Sequence, residues 1–208
     1  MSFIDTTTLP RELTKADMHR LRLGKRYWGC SIAQIPETAQ YRKILTKYID
    51  NLKENVESGN GILFYGKHGS GKTAAASILG KAVIAFGGTA LFIEVQQLSD
   101  MKINKEMFDD ETTLWQRMIE VDMLILDEIG GEHGKDWGLL ERIIRHRMNT
   151  CKTTIGTTNK MKSLGEKYGE GLLSVIRTAL LPIEIDEINW RKDERNTLAE
   201  KIIVANDN

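Results

Sequence analysis

From residue 38 onward apolar side chains recur every three or four positions: Ile44, Leu45, Tyr48, Ile49, Leu52 and Val56, with Lys43, Lys47, Asp50 and Lys53 between them. That spacing predicts one amphipathic helix, ending near Ser58 and Gly59, where glycine supplies a stop. The next apolar run, Ile62-Leu63-Phe64-Tyr65, is continuous and lies between glycines, which predicts a buried strand. A glycine-rich loop leads into a helix of small residues over 73–86, closed by Gly87 and Gly88. Residues 90–94 read as a strand and 98–120 as a polar, helical stretch. Residues 123–126 predict another buried strand, 139–148 a helix alternating apolar with basic positions, 153–157 a β-branched strand and 181–185 a last strand. Strands alternating with helices predict an α/β fold whose mainly parallel sheet is covered on both faces. Ahead of Pro36 no clean period exists. Arg11, Lys15, Arg20, Arg22, Lys25 and Arg26 accumulate there before Tyr27 and Trp28, which suggests a short arm with room for one helix.

A length of 208 residues with 41% apolar content supports one sizeable core. The formal net charge is zero, which excludes a global positive field as the means of reaching nucleic acid or anionic lipid. Basic residues prevail up to Lys53 and acidic ones between Glu94 and Asp136. A partner could read that asymmetry, and solvated faces would equally produce it. Cys30 and Cys151 fit no metal or disulfide spacing and suit a reducing cytosol. No signal-like core and no span of roughly 20 apolar residues is present. The expectation is a soluble, cytoplasmic protein with no membrane partner.

Chemistry concentrates in three segments. Gly66-Lys67-His68-Gly69-Ser70-Gly71-Lys72-Thr73 fits the pattern of glycine, four residues, then Gly-Lys-Thr, and it joins a predicted strand to a predicted helix. Its glycines let successive N–H groups face one anion, and the helix N-terminus adds partial positive charge. In such a loop Lys72 would reach the β- and γ-phosphates of ATP, and Thr73 would ligate Mg2+. Asp127-Glu128 follows an apolar strand, placing two carboxylates where parallel sheets bind ligands. Asp127 suits the Mg2+ shell, and Glu128 suits orienting or deprotonating a water. Alone the pair also fits a helix N-cap; after a phosphate loop it reads as a hydrolysis signature. Asn159 ends the segment Thr157-Thr158-Asn159, where its amide could contact the water or the γ-phosphate, or simply form a turn.

With those residues stand flanking segments: the approach Gly59-Asn-Gly-Ile-Leu-Phe-Tyr65, then Leu124-Ile-Leu-Asp-Glu-Ile-Gly130, Arg142-Ile-Ile-Arg-His-Arg-Met-Asn149, Lys152-Thr-Thr-Ile-Gly-Thr-Thr-Asn159 and Asn189-Trp190-Arg191. Together they resemble the AAA+ family, and more narrowly the bacterial replicative-helicase loaders of the DnaC/DnaI type and the related transposition ATPase IstB. The resemblance runs from 38 to 192. It implies a three-layer P-loop NTPase core there, preceded by an arm over 1–37 that could bind a partner and followed by a tail over 193–208, with no C-terminal helical lid. Carried over by position, Lys72, Thr73, Asp127 and Glu128 form the hydrolytic set and Asn159 the sensor. The family's Gly-Glu-Arg, whose arginine reaches a neighbouring subunit's γ-phosphate, reads Gly169-Glu170-Gly171 here, and the nearest arginine is Arg177. Arg177 is thus either that trans-acting group or a helix-surface residue. The family's helicase-binding domain is also longer than the arm here, as in a phage or mobile-element version.

The resemblance further implies ATP-dependent self-association and contacts with a DnaB-type replicative DNA helicase and single-stranded DNA. Basic side chains for DNA are Arg142, Arg145, His146 and Arg147, with Lys102, Lys105, Phe108 and Trp115 nearby. Arg142 and Arg145 could share a helix face, whereas Arg147 points elsewhere. A solvated helix face fits these residues as well. Three other functions share parts of the pattern: an IstB-like transposition helper, a nucleotide-gated adaptor that scarcely hydrolyses, and a P-loop small-molecule kinase. The Glu128 and Asn159 positions suit water as acceptor better than they suit a kinase substrate.

Overall fold

The computed structural model describes residues 4–7, 9–98, 108–131 and 137–186. Five strands, β1 (Gly61–Tyr65), β2 (Ala90–Glu94), β3 (Met123–Asp127), β4 (Thr153–Thr158) and β5 (Leu180–Glu184), form one sheet in the order β2-β3-β4-β1-β5. Every neighbouring pair is parallel. The four strands other than β5 are buried almost throughout, which explains the continuous apolar runs of β1, β2 and β3 and the small, β-branched threonines of β4: a parallel strand covered on both faces has no solvated side to alternate with.

Alternate strand residues feed two separate cores. Ile62, Phe64, Phe92, Met123, Ile125 and Ile155 face one layer, while Leu63, Leu91, Ile93, Leu124 and Leu126 face the other. The first layer is built from α1 (Lys15–Arg20), α2 (Gln40–Asp50), α3 (Leu52–Glu57) and α4 (Lys72–Ala85). The second holds α5 (Phe108–Glu120), α6 (Gly138–Asn149) and α7 (Leu164–Ala179). This is the three-layer α/β arrangement expected of a P-loop NTPase.

The single helix expected over 38–59 is two helices. Asn51 departs from helical geometry at φ −113° and ψ 31°. Its side-chain amide donates to the carbonyl of Lys47 at 2.9 Å, the acceptor its own backbone N–H would use in an unbroken helix. Helix α7 carries a similar interruption at Gly169 (φ 76°, ψ 165°).

The arm is stitched to the core. A capping box between Thr14 and Asp17 starts α1, and Arg11 pairs with the buried Asp17 at 2.8 Å. Ile4, Met18, Leu21, Leu23 and Ile35 bury in the same cluster as α4. The N–H groups of Asp5 and Arg11 donate to the last carbonyls of α4, those of Phe86 and Ala85, and Phe92 of β2 donates to Leu21. These bonds satisfy helix-end carbonyls that would otherwise lack partners.

On α6 the basic residues separate. Arg147 is 0% exposed, and its guanidinium donates to the carbonyls of Met118 and Thr153 (2.8 and 2.6 Å) and to Thr154 Oγ1. Burial pushes its pKa down to about 9, so it remains a cation at neutral pH. Arg145 pairs with Glu141 at 2.7 Å, and Arg142 lies 5.0 Å over the ring of Trp115. Lys102 and Lys105 lie outside the described residues, as do residues 189–191 and the tail over 193–208. Among the described residues no helix is long and apolar enough to cross a membrane.

Candidate functional site

The strand order reverses beside β1, because β1 connects to β2 across β3 and β4. Open α/β sheets place ligands in the crevice beyond the carboxyl ends of the strands at such a point, and all three chemical segments converge there. At Gly66 the chain leaves β1 with φ 145°, and a Cβ would sit 2.1 Å from the carbonyl oxygen of Ile185. Gly71, at φ 101°, forms the N-cap of α4. Only glycine takes both conformations without strain. The loop therefore folds back over the start of α4, whose orphan N–H groups point into the cleft.

Lys72 is buried at 6% exposure. Its ammonium donates to the Lys67 carbonyl at 2.6 Å and to Ser70 Oγ at 3.4 Å, within the loop itself. Lys67 points outward and pairs with Asp186 at 2.8 Å. Thr73 Oγ1 donates to Asp127 Oδ1 at 3.0 Å, so the first turn of α4 is tied to the end of β3. Thr157 Oγ1 donates to the same oxygen at 2.6 Å, and it also accepts from the Glu128 N–H at 3.0 Å. Burial pushes the Asp127 carboxyl up to about 6, against the two hydroxyl hydrogen bonds that favour its ionised form.

Glu128 is exposed and occupies left-handed backbone at φ 61°, costly for a residue with a long side chain. The turn behind it is held from two elements. Ile129 N–H donates to the Thr157 carbonyl, Gly130 N–H to the Tyr168 hydroxyl at 2.6 Å, and Lys167 donates to the Gly130 carbonyl at 3.0 Å. Asn159 Oδ1 is buried with no hydrogen-bond partner among the described residues, an acceptor facing the same cleft without a donor.

A cleft of about 370 Å³ joins these groups. Its phosphate end is formed by His68, Gly69, Gly71, Lys72 and Thr73, with Glu128, Thr157 and Asn159 opposite. Its other end is walled by the arm, through Arg26, Tyr27, Cys30 and Ile35, with Tyr41 of α2. Oxygen donors of the Thr73 and Asp127 kind fit magnesium, which takes one or two protein ligands and completes its shell with phosphate oxygens and water. Arg177 does not line the cleft and is exposed near the end of α7.

Two contributors escaped the sequence reading. Thr157 clamps Asp127 only because of the register between β3 and β4, which no local pattern reports. The arm's wall is irregular backbone with no period; the one signal available was the Tyr27–Trp28 pair.

Sheet order, glycine cradle and acidic strand end together define an ATP-binding protein of the AAA+ P-loop class. A family model described as IstB-like ATP binding protein matches residues 3–182, and the chain belongs to that family. It is 30% identical over 189 residues to the replicative helicase loader DnaC of Buchnera aphidicola subsp. Acyrthosiphon pisum (strain APS), covering 84% of this chain and 75% of that protein. The crystal structure of the DnaC helicase loader aligns with a TM-score of 0.67 and 27% identity, over 78% of this chain and 99% of that one. The crystal structure of DnaI aligns with a TM-score of 0.69 at 19% identity, over 81% and 94%, a likeness of fold.

Proposed function

We propose that this protein is an ATP-dependent loader of a replicative, DnaB-type helicase, with ATP binding and hydrolysis controlling self-association and the hold on helicase and single-stranded DNA. The observation that carries the reading is the Thr73–Asp127–Thr157 clamp beside Glu128 and the unpartnered Asn159, in a chain similar to a DnaC loader over most of its length.

In this reading the cradle from Gly66 to Thr73 binds the phosphates through backbone N–H groups, and Lys72 exchanges its loop partners for the β- and γ-phosphates. Thr73 and Asp127 hold magnesium, which supplies charge neutralisation on the phosphate oxygens. Glu128 orients a water and accepts its proton, and its exposure on the cleft leaves it free to do so. Asn159 Oδ1 receives a hydrogen bond from that water, and its amide N–H reports on the γ-phosphate. Arg177, exposed outside its own cleft, serves a neighbouring subunit's γ-phosphate. The arm over 1–37 is the partner-binding segment, 38–192 the ATPase core and 193–208 the tail.

The test is capture of a bacterial replicative helicase by the purified chain with ATP, ADP or no nucleotide, with and without single-stranded DNA. A complex that forms with ATP and dissolves on hydrolysis supports the loader, and no nucleotide-dependent complex under any condition rejects it. The family match favours a second reading, an IstB-like transposition helper. Capture of a transposase, or preference for duplex DNA, selects it. Gly171 favours a third, a nucleotide-gated adaptor, which sub-stoichiometric phosphate release would select. Phosphate release without an added acceptor excludes a kinase.

A further inference from the structure

Lys81 lies on α4 one turn beyond Ile78 and is only 8% exposed. Its ammonium donates to the carbonyls of Tyr27 at 3.2 Å, Trp28 at 3.0 Å and Cys30. An ammonium offers three protons, and these three acceptors match them. Burial pushes the Lys81 pKa below the ordinary lysine value. A charge in that position persists only where hydrogen bonds replace its lost water. The first acceptor ends the 3₁₀ turn Lys25–Tyr27, and the other two lie in the chain just beyond it, so one cation gathers successive carbonyls of the same loop.

The same loop is a wall of the nucleotide cleft. Tyr27, Gly29, Cys30 and Ser31 line it, as do Ala75 and Ile78 on the α4 face that leads to Lys81. Phosphates seated against Lys72 and Thr73 direct the nucleoside toward this end, since the cleft extends from the cradle to the arm. The helix that holds phosphate at its first turn thus also holds, two and a half turns later, the surface that meets the base.

We propose that Lys81 is a positioning residue that fixes the Tyr27–Cys30 loop as the nucleobase-side wall, so that base and ribose recognition depends on an ammonium that never touches the nucleotide. The inference rests on the cleft being a nucleotide site. It separates two parts of that site: Lys81 governs affinity for the nucleoside and leaves phosphate binding alone.

Titration calorimetry of the full chain with Mg-ADP and with Mg-tripolyphosphate tests this on wild type, Lys81→Met and Lys81→Arg. Lys81→Met, which keeps the stem and removes the charge, is expected to weaken ADP by about tenfold or more, the equivalent of one charge-assisted hydrogen bond. Tripolyphosphate affinity is expected to stay within about twofold, because the cradle is intact. Lys81→Arg, which keeps a cation and its donors, recovers most of the ADP affinity. Equal losses for both ligands, or unchanged ADP affinity, overturn the proposal. Should Lys81→Met fail to fold, amide exchange on the wild type decides: ADP protects residues 27–31 and tripolyphosphate does not, and equal protection overturns it. A wild type that binds neither ligand brings down the nucleotide reading itself. One that binds both, with Lys81→Met losing them in parallel, brings down this inference alone.

Discussion

Thr157 and Thr73, 84 positions apart in the sequence, donate to one oxygen of Asp127, at 2.6 and 3.0 Å. The carboxylate they hold is buried, and its pKa rises from 3.8 to about 6. A folded-state pKa above the unfolded one means the native protein binds the proton more tightly. Stability therefore falls as pH rises from 3.8 through about 6, and at pH 7 the ionised group opposes folding by about 3 kcal/mol, two pK units' worth. Asp127→Asn removes the charge and keeps an oxygen for both hydroxyls. Its nucleotide-free form is expected to melt several degrees higher than wild type at pH 7, while the magnesium-dependent part of ATP affinity disappears. A lower melting temperature would show that the site is not held under electrostatic tension.

Lys72 is expected to matter for binding and Glu128 for turnover. Lys72→Ala removes the only buried cation of the cradle's described residues and should cost ATP affinity at least about a hundredfold, from the loss of charge-assisted phosphate bonds. Glu128→Gln keeps the side-chain shape on the cleft and should bind ATP normally while phosphate release falls at least about a hundredfold, the usual contribution of a general base. Calorimetry paired with a phosphate-release assay separates the two. Retained ATP affinity in Lys72→Ala would contradict the role given to the cradle.

How far the fold could be read from the sequence depended on burial. The strands were legible because β1 to β3, covered on both faces, show as unbroken apolar runs, and β4 shows as a run of β-branched residues. The cradle was legible because its glycines mark positive φ, and Asp127 because it ends a strand. The break at Asn51 was not, since a helix with one competing side-chain bond keeps its apolar period. Arg147 was placed away from its neighbours' face, but a charged residue gives no sign of full burial until its carbonyl partners arrive from α5, β4 and the turn before β3. The arm had no period because it is fixed by backbone bonds to α4 and β2, which are silent in side-chain pattern.

Arg147 joins those three elements through bonds to Met118, Asp122, Thr153 and Thr154. Arg147→Met fills the same volume but leaves buried carbonyls without a donor. Breaking a buried charged network from one side typically costs about 3–5 kcal/mol, so denaturant unfolding should show a loss of that order. A loss under about 1 kcal/mol would mean that water replaces the guanidinium.

The arm's attachment carries a pH signature. Asp17 is 3% exposed, and hydrogen bonds from Arg11 and the Thr14 backbone hold its carboxyl well below the usual carboxylate range. A depressed folded-state pKa contributes stability that is complete above the unfolded value and is lost as pH falls toward the folded one. Asp17→Asn is therefore expected to melt below wild type at pH 5 to 8, with the gap closing only in stronger acid. Melting curves of both proteins against pH check this. A gap that already closes near pH 6 would point to a different titrating group.

On the proposed reading, Arg177 and Gly171 are the positions that separate a chain hydrolysing ATP in assembly from one that only responds to it. Both are exposed on α7, yet six residues on a helix place them about 120° apart, so they do not present the same face. A trans-acting arginine is worth about 10³–10⁵ in rate. Arg177→Ala should accordingly lose at least about a thousandfold of the turnover that appears only at assembling concentrations, with ATP affinity of the dilute chain unchanged. At Gly171 a Cβ meets nothing within 4 Å, and replacing glycine in a helix gains up to about 1 kcal/mol. Gly171→Arg is thus expected to fold at least as well as wild type. Steady-state phosphate release across protein concentration distinguishes the cases. Concentration-dependent turnover that Arg177→Ala abolishes assigns the trans role to Arg177. Turnover that is indifferent to Arg177→Ala and rises in Gly171→Arg assigns the natural chain to nucleotide-gated switching, with the activating cation missing at 171.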